Sequence, residues 1–298
     1  MSATWIMGFA LLSALARGVI TVIDRYQMGY RKNSVITVNF LNNLLSMALV
    51  TLIFVGLLWH GGLGLTMTPW LLVRMVIYAG LVQAVAQGYS TIFKEVTIME
   101  SVLLSKVTDF VIPLALFATT FYFHWQSYLI SVVSTLLVIG LVISYRQSES
   151  GKLALLVKNF WRIGPLLILQ AAVSPLLVAD LHTPYALVMF TILTIYFRFL
   201  FTAYGFVRQI KASGDFDLQL TPKVGWLYAT RAVLTLLAQV AFTLATSSEN
   251  SGVAWIFLNM TSLFSVVLAG FILKERVQAR EIWVLLSVVA LGVVGNLL

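Results

Sequence analysis

Of the 298 residues, 60% are hydrophobic and only 10% charged, with no cysteine and a formal net charge of +8. A mean hydropathy of +0.96 lies far from the roughly half-apolar, quarter-charged balance of water-soluble domains, and no ordinary core hides that much apolar surface. Disulfides, thiolate catalysis and cysteine-based metal sites are excluded, and positive charge spread through short connections does not point to nucleic acid.

Apolar runs of about 20 residues, each able to cross roughly 30 Å of hydrocarbon as a helix, predict ten spans. The first five run near Trp5 to Tyr26, Val35 to Trp59, Trp70 to Phe93, Val96 to Phe121, and Trp125 to Tyr145. The second five run near Ile163 to Leu181, Tyr185 to Val207, Val224 to Thr246, Gly252 to Leu273, and Ile282 to Leu298. The first 26 residues lack a basic leader region and carry Arg17 in mid-segment, so a retained first helix is expected. The longest polar segments, 146–162 and 208–223, leave no room for a separate soluble domain.

Basic residues fall in alternate connections. Arg25, Arg31 and Lys32 lie in the first, Lys94 in the third, and Arg146, Lys152, Lys158 and Arg162 in the fifth. Arg208, Lys211 and Lys223 lie in the seventh, and Lys274, Arg276 and Arg280 in the ninth. The even connections and both termini carry none of these fourteen. The positive-inside rule then puts the odd connections in the cytoplasm and both ends outside a cell membrane. The halves also echo each other. Asp24 and Asp180 close the first and sixth spans, and Tyr78 and Ser101 recur as Tyr228 and Ser251. Five spans per half orient the halves oppositely, as in the inverted repeats of secondary transporters. The expected fold is therefore an all-α integral membrane protein of about ten transmembrane helices, built as two inverted five-helix repeats over 1–150 and 151–298.

The segment from Ser262 to Glu275, with Gly270, Glu275 and Gly292 in place, resembles the drug/metabolite transporter superfamily in its ten-helix EamA-like branch. Ser262 and Lys274 stand where that family usually has Pro and Gly; in the first half Pro113 keeps the Pro and Gln126 replaces the Glu. The resemblance implies two inverted repeats, a central cavity lined by the first four helices of each half, and peripheral fifth and tenth helices. It also implies cytoplasmic termini, against which the charge count is preferred.

Polar residues recur at helical spacing inside the spans. Ser13, Arg17, Thr21 and Asp24 share a face of the first; Ser101, Ser105, Asp109 and Pro113 share one of the fourth, with Lys106 a step around it. Thr191, Thr194, Arg198 and Thr202 align on the seventh, and Arg231, Thr235, Gln239, Thr243 and Thr246 on the eighth. These four stripes are expected to converge on one wet cavity, with Gln83, Gln87, Asn259, Ser262 and Ser265 completing its wall. For a single Ser or Thr, helix-to-helix bonding worth on the order of 1 kcal/mol is the simpler reading. Charge is harder to dismiss, because Arg, Lys or Asp at a helix centre costs about 2.5 to 3.5 kcal/mol. Arg74 is near enough to a helix end to snorkel, and Lys106 has Asp109 at i+3 as a natural ion-pair partner. Arg17, Arg198 and Arg231 then remain as guanidiniums suited to carboxylate or phosphate. Their alternatives are backbone carbonyls at helix breaks, or Asp24, Asp180 and Glu249 at the span ends. His60, His124 and His182 fall at outer span ends near Asp180, where a metal or pH-sensing cluster is the minority reading.

No phosphate-binding loop, metal-ligand motif or serine-nucleophile motif is present, so no cofactor and no enzyme are expected. The leading expectation is a secondary transporter moving a small polar, anionic metabolite by alternating access. The runner-up is a proton-coupled exporter of cationic or amphiphilic compounds, with Asp109, or Glu100 near the inner surface, as its carboxylate. A lipid-headgroup flippase stands between them, and a lipid-modifying enzyme has only Asp180 and His182 to recommend it. The expected partners are the small-molecule substrate and the lipid bilayer, with a homodimer left open. Because native cysteine is absent, single cysteines at Gly62 and Ser150 test the topology on intact cells. An impermeant thiol reagent should label the first and not the second; the reverse pattern would place both ends in the cytoplasm.

Overall fold

A computed structural model describes residues 3–59, 67–108, 110–111, 114, 117–118, 121, 125–148, 151–178, 181, 183–213, 221–246, 257–258 and 260–297. Ten α-helices and no strands occur among the described residues. Helix α1 (Ala3–Arg25) runs on into a π-turn at Tyr26–Tyr30, followed by α2 (Val35–Trp59), α3 (Pro69–Ile92), α4 (Ile98–Thr108) and α5 (Trp125–Ser148). Then come α6 (Lys152–Val178), α7 (Pro184–Ser213), α8 (Pro222–Thr246), α9 (Thr261–Leu268) with a second π-turn at Ala269–Leu273, and α10 (Ala279–Leu297). Six helices, α1, α2, α3, α6, α7 and α8, carry stretches long and apolar enough to cross a membrane; Tyr128–Ser144 and Thr261–Leu273 are shorter apolar helices. The architecture is that of an all-α membrane protein, and large apolar side chains such as Leu52 and Phe271 stand exposed on its flanks.

Local sequence explains the helix starts. Three helices begin at a Thr-Pro step, Thr68-Pro69, Thr183-Pro184 and Thr221-Pro222, where proline has the right φ and loses no intrahelical bond. The Thr68 hydroxyl accepts from the Leu71 N–H at 3.1 Å, and Thr183 does the same for Ala186 at 3.1 Å. Ahead of α4, Thr97 and Glu100 form a reciprocal capping box: the Glu100 carboxylate accepts from the Thr97 N–H at 2.7 Å and the Thr97 hydroxyl from the Glu100 N–H at 3.3 Å.

Several boundaries differ from expectation. The polar segment 146–162 is not an open connection: α6 begins at Lys152, eleven residues before the expected span. Its early basic residues are held by carboxylates, Lys152 by Glu100 at 3.1 Å and Lys158 and Arg162 by Glu95 at 3.2 and 2.8 Å. Helix α7 likewise continues past Val207 to Ser213. The fourth span, expected to Phe121, has its continuous described helix over Ile98–Thr108, past which the Val111 N–H bonds Thr108 O at 3.0 Å; Leu114, Phe117 and Ala118 are helical again, and the residues between them lie outside those described. Lys274 ends the second π-turn in the left-handed region at φ 55°, a conformation that is nearly free for glycine and strained for lysine.

Helices α1 and α8 run antiparallel, with Ile6 and Ala10 beside Ala245 at one end and Asp24 bonded to Arg231 near the other. Helices α2 and α7 are also antiparallel, joined by the Phe40–Phe206 ring stack at 4.2 Å and the Thr51–Tyr196 hydroxyl pair at 2.9 Å. Helix α3 lies parallel to α7, Met75 against Phe190 and Gln83 against Arg198. The C-terminal ends of α1 and α3, the N-terminal ends of α4 and α6, and the π-turn after α9 gather on one face. There Arg25 bonds both Glu275, at 2.7 Å, and the Phe93 carbonyl, and the other Glu275 oxygen accepts from the Ile98 N–H at 2.9 Å. The hydrogen bond from Arg162, helped by Lys158 and Asn159, outweighs partial burial and holds the Glu95 carboxyl down at about 2, so Glu95 stays ionised throughout the physiological range.

Helices α1 and α9 touch through Gly18, where an added Cβ would lie 2.9 Å from the Phe264 Cβ and 3.3 Å from the Ser265 nitrogen. Gly18→Ala should therefore destabilise by about 1–3 kcal/mol through overpacking. Gly8→Ala, at an exposed position with nothing within 4 Å, should be neutral or slightly stabilising. Thermal unfolding of the two purified variants checks this contrast, and equal melting temperatures would refute the close approach.

Candidate functional site

Buried charged side chains lie on α1, α3, α7 and α8, as Asp24, Arg74, Arg198 and Arg231, and also on α4 and α10, as Glu100 and Glu281; Arg74, expected to snorkel to a surface, is instead 7% exposed. On α1 and α8, Asp24 and Arg231 form a two-pronged pair, Nε to Oδ1 at 2.6 Å and Nη2 to Oδ2 at 2.9 Å, with Arg231 Nη1 donating to the Thr235 hydroxyl at 3.4 Å. Both residues are less than a tenth exposed. Two planar donors facing two carboxylate oxygens is the geometry in which such a pair is strongest. The expectation that three guanidiniums stand without a counterion is corrected here: Arg231 has one, and two remain without one among the described residues.

Those two are Arg17 and Arg198. Arg17 is half-buried on α1, its guanidinium lying 4.5 Å from the centroid of the Phe242 ring on α8, a cation–π contact that covers one face of the planar group. Arg198 is 5% exposed on α7, and its Nε donates to the Gln83 Oε1 at 3.3 Å. Among the described residues no carboxylate contacts either guanidinium. The Tyr78 hydroxyl on α3 lies within electrostatic reach of both, and its ring is held edge-on against Phe190 at 5.4 Å. Arg198 also feels Arg231, whose like charge acts on it more strongly than the opposite charge of Asp24.

Around Arg198 runs a buried amide network in which Gln83 was expected and Asn39, Asn43 and Ser90 were not. The Gln83 carbonyl oxygen accepts from Asn43 at 2.8 Å as well as from Arg198, and the Gln83 amide donates to Asn39 at 3.3 Å. Asn39 in turn donates to the Ser90 hydroxyl at 2.9 Å, and Asn43 reaches Thr202 at 3.5 Å. The signal was available: Asn39, Asn42, Asn43 and Ser46 fall at i, i+3, i+4 and i+7 within the second span, a polar stripe like the four that were recognised. Tyr78 stood out only as one member of a repeated pair. Among the described residues, the amide of Gln27, in the first π-turn, and that of Asn42 are buried without a partner on either atom, as is the Gln239 carbonyl oxygen.

Of the expected wall, Arg17, Gln83, Arg198 and Arg231 share this neighbourhood, and Gln239 lies two turns along α8 from Arg231. Gln87 is exposed, and Lys106 is half-buried on α4. Asp109 and Asn259, with Asp180, Glu249 and the three histidines, lie outside the described residues, as does the Lys106–Asp109 pair. Most stripe hydroxyls turn back on their own helix, Thr191 to Leu187 O, Thr194 to Thr191 O, Thr243 to Gln239 O, Ser101 to Ile98 O and Ser105 to Val102 O, at 2.7–2.9 Å. No described bond ties the α4 stripe to the arginines.

No protein-family model matches the chain, and no curated protein matches it. The site is therefore judged on its own chemistry. Asp24→Asn leaves Arg231 as a buried cation and should cost about 3–5 kcal/mol. Adding Arg231→Met should recover most of that loss. A double-mutant cycle on thermal unfolding measures the coupling, and additive effects would mean the pair contributes nothing.

Proposed function

We propose that this chain is a secondary transporter that moves a small polar anion across a membrane by alternating access. The observation that carries the reading is the presence of two guanidiniums, Arg17 and Arg198, held among helices without a carboxylate partner among the described residues. Arginine stays protonated in proteins, and a desolvated cation without a counterion is costly. An anionic solute arriving between the helices would lower that cost, and a cation would raise it.

The pattern of helix contacts supports a two-repeat carrier. Exchanging helices α1–α5 for α6–α10 turns the α1–α8 contact into α6–α3, α2–α8 into α7–α3, and α1–α9 into α6–α4; all of these contacts occur, and α2–α7 and α5–α10 map onto themselves. Such pseudo-twofold packing is the arrangement in which one half rocks against the other around a site at their interface, and Arg17 and Arg198 belong to opposite halves. The left-handed Lys274 adds support for the drug/metabolite transporter resemblance, because it occupies the position where that family carries glycine. A proton-coupled cation exporter fits less well. Its carboxylate would have to be exposed to solute, whereas Glu100, one of its two candidates, is buried and paired with Lys152 at 3.1 Å; Asp109, the other, lies outside the described residues.

The test is a ligand-stabilisation screen of the purified chain with small organic anions and cations, since a solute that binds the folded state raises its melting temperature. Anions should stabilise the wild type. Arg198→Gln should weaken that stabilisation by about tenfold or more in affinity, as expected for a lost charged hydrogen bond of roughly 1.5–3 kcal/mol, while the unliganded variant remains folded. Stabilisation by cations alone, untouched by Arg198→Gln, would overturn the reading.

A further inference from the structure

We propose that Gln83 is the positioning residue of Arg198: it holds the guanidinium through a neutral amide, so that the charge stays available to an anionic solute. The proposal deepens the anion-transport reading and rests on it.

Helical spacing builds the holder. Asn39 and Asn43 are four residues apart on α2, and Gln83 and Ser90 seven apart on α3, so each pair shares one face of its helix. The two faces meet, and all four side chains are less than a twentieth exposed. Arg198 Nε donates to Gln83 Oε1 at 3.3 Å, and Asn43 Nδ2 donates to the same oxygen at 2.8 Å. Gln83 Nε2 donates to Asn39 Oδ1 at 3.3 Å, Asn39 Nδ2 to Ser90 Oγ at 2.9 Å, and the Ser90 hydroxyl to the Ala86 carbonyl at 2.8 Å.

The direction of this chain of bonds is fixed at both ends. Arg198 Nε can only donate, and the Ala86 carbonyl can only accept. Turning over either amide between them would set donor against donor at one contact and acceptor against acceptor at another, because Asn39 Nδ2 also donates to the Val35 carbonyl at 2.9 Å. Gln83 therefore keeps its oxygen on Arg198, and the guanidinium points where that oxygen holds it. Its two terminal amino groups make no hydrogen bond among the described residues.

Charge distinguishes this holder from Asp24. Asp24 and Gln83 each accept from an arginine Nε, at 2.6 and 3.3 Å, but Asp24 also takes a terminal nitrogen of Arg231 and neutralises it. Gln83 carries no charge, so it fixes Arg198 without cancelling it. For stability alone, a glutamate at position 83 would serve a buried guanidinium better. The amide is the partner that leaves the charge for a ligand. Arg74, the buried arginine of α3, stands nine residues before Gln83, about 13 Å along the axis at 1.5 Å per residue. A carboxylate at position 83 would thus meet Arg198 first.

The experiment uses the purified full chain and two variants, Gln83→Glu, which adds a carboxylate, and Gln83→Met, which removes the acceptor at similar size. Melting temperature is read without ligand, and affinity from its rise with succinate or glycerol 3-phosphate, with tetramethylammonium as the cation. Gln83→Glu should melt above Gln83→Met yet bind the anion about tenfold or more weakly than wild type, the loss expected when a charged hydrogen bond is given up. Gln83→Met, whose Arg198 is loose but still charged, should lose less. The less stable variant is then the better binder. A merely structural role predicts the reverse order, affinity falling as stability falls, and that order would overturn the proposal. Unchanged anion affinity in Gln83→Glu would overturn it while leaving anion transport standing, as would a Gln83→Glu that melts below Gln83→Met or does not fold. If only Gln83→Met fails to fold, Gln83→Glu against wild type decides by the same loss of affinity in a folded chain. No stabilisation of the wild type by either anion would also overturn the proposal, and stabilisation by tetramethylammonium alone would overturn the anion-transport reading with it.

Discussion

The arrangement of charge inside this helix bundle turns on the Asp24–Arg231 pair. It joins the end of α1 to the start of α8, and both partners are nearly inaccessible. A carboxylate and a guanidinium removed from water repay their desolvation only when the geometry is close to ideal, and here each carboxylate oxygen takes a guanidinium nitrogen. By taking up Arg231, Asp24 leaves Arg17 and Arg198 without a carboxylate contact among the described residues. It also sets the register of two antiparallel helices, with Ser13 bonding the Ala238 carbonyl at 2.9 Å further along the same interface.

A second group of ion pairs holds one face of the bundle. Arg25–Glu275, Lys152–Glu100, and the Lys158 and Arg162 contacts to Glu95 each join a residue from the first 150 positions to one from the remainder. Glu275 does so twice, since its second oxygen caps the N-terminus of α4 at Ile98, where the helix dipole favours negative charge. Partly exposed pairs contribute little singly. Their placement nevertheless matters: in a two-repeat carrier, contacts between halves at one face are the ones that must break for that face to open.

Much of this was legible in sequence, and the limits have physical reasons. The 3.6-residue period put Ser13, Arg17, Thr21 and Asp24 on one face, and Thr191, Thr194, Arg198 and Thr202 on another, because helical periodicity is local. Which neighbour each face meets is not local. Asp24 was one of three acidic residues weighed as partners for the arginines, and nothing in the spacing could choose among them. The Lys152–Arg162 stretch read as a connection because its charges break the apolar run, yet Glu95 and Glu100, more than fifty residues earlier, supply counterions that let it continue as helix. The Asn39, Asn42, Asn43 and Ser46 stripe was overlooked for a different reason: amides carry no formal charge, and against strongly apolar neighbours they do not interrupt a span.

The amide network gives Arg198 a property that Arg17 lacks. Gln83 presents a single carbonyl oxygen to both Asn43 and Arg198, and that oxygen cannot turn away without breaking bonds to two helices at once. Arg198 is thereby preorganised, with its side-chain entropy already lost in folding, so a ligand bond to it carries a smaller ordering cost. Arg17 is restrained only by the Phe242 ring beneath it, which tolerates sliding in the plane of the ring. One rigid and one adjustable guanidinium, on helices from opposite halves, are what the proposed carrier would need to keep hold of a solute while its halves move.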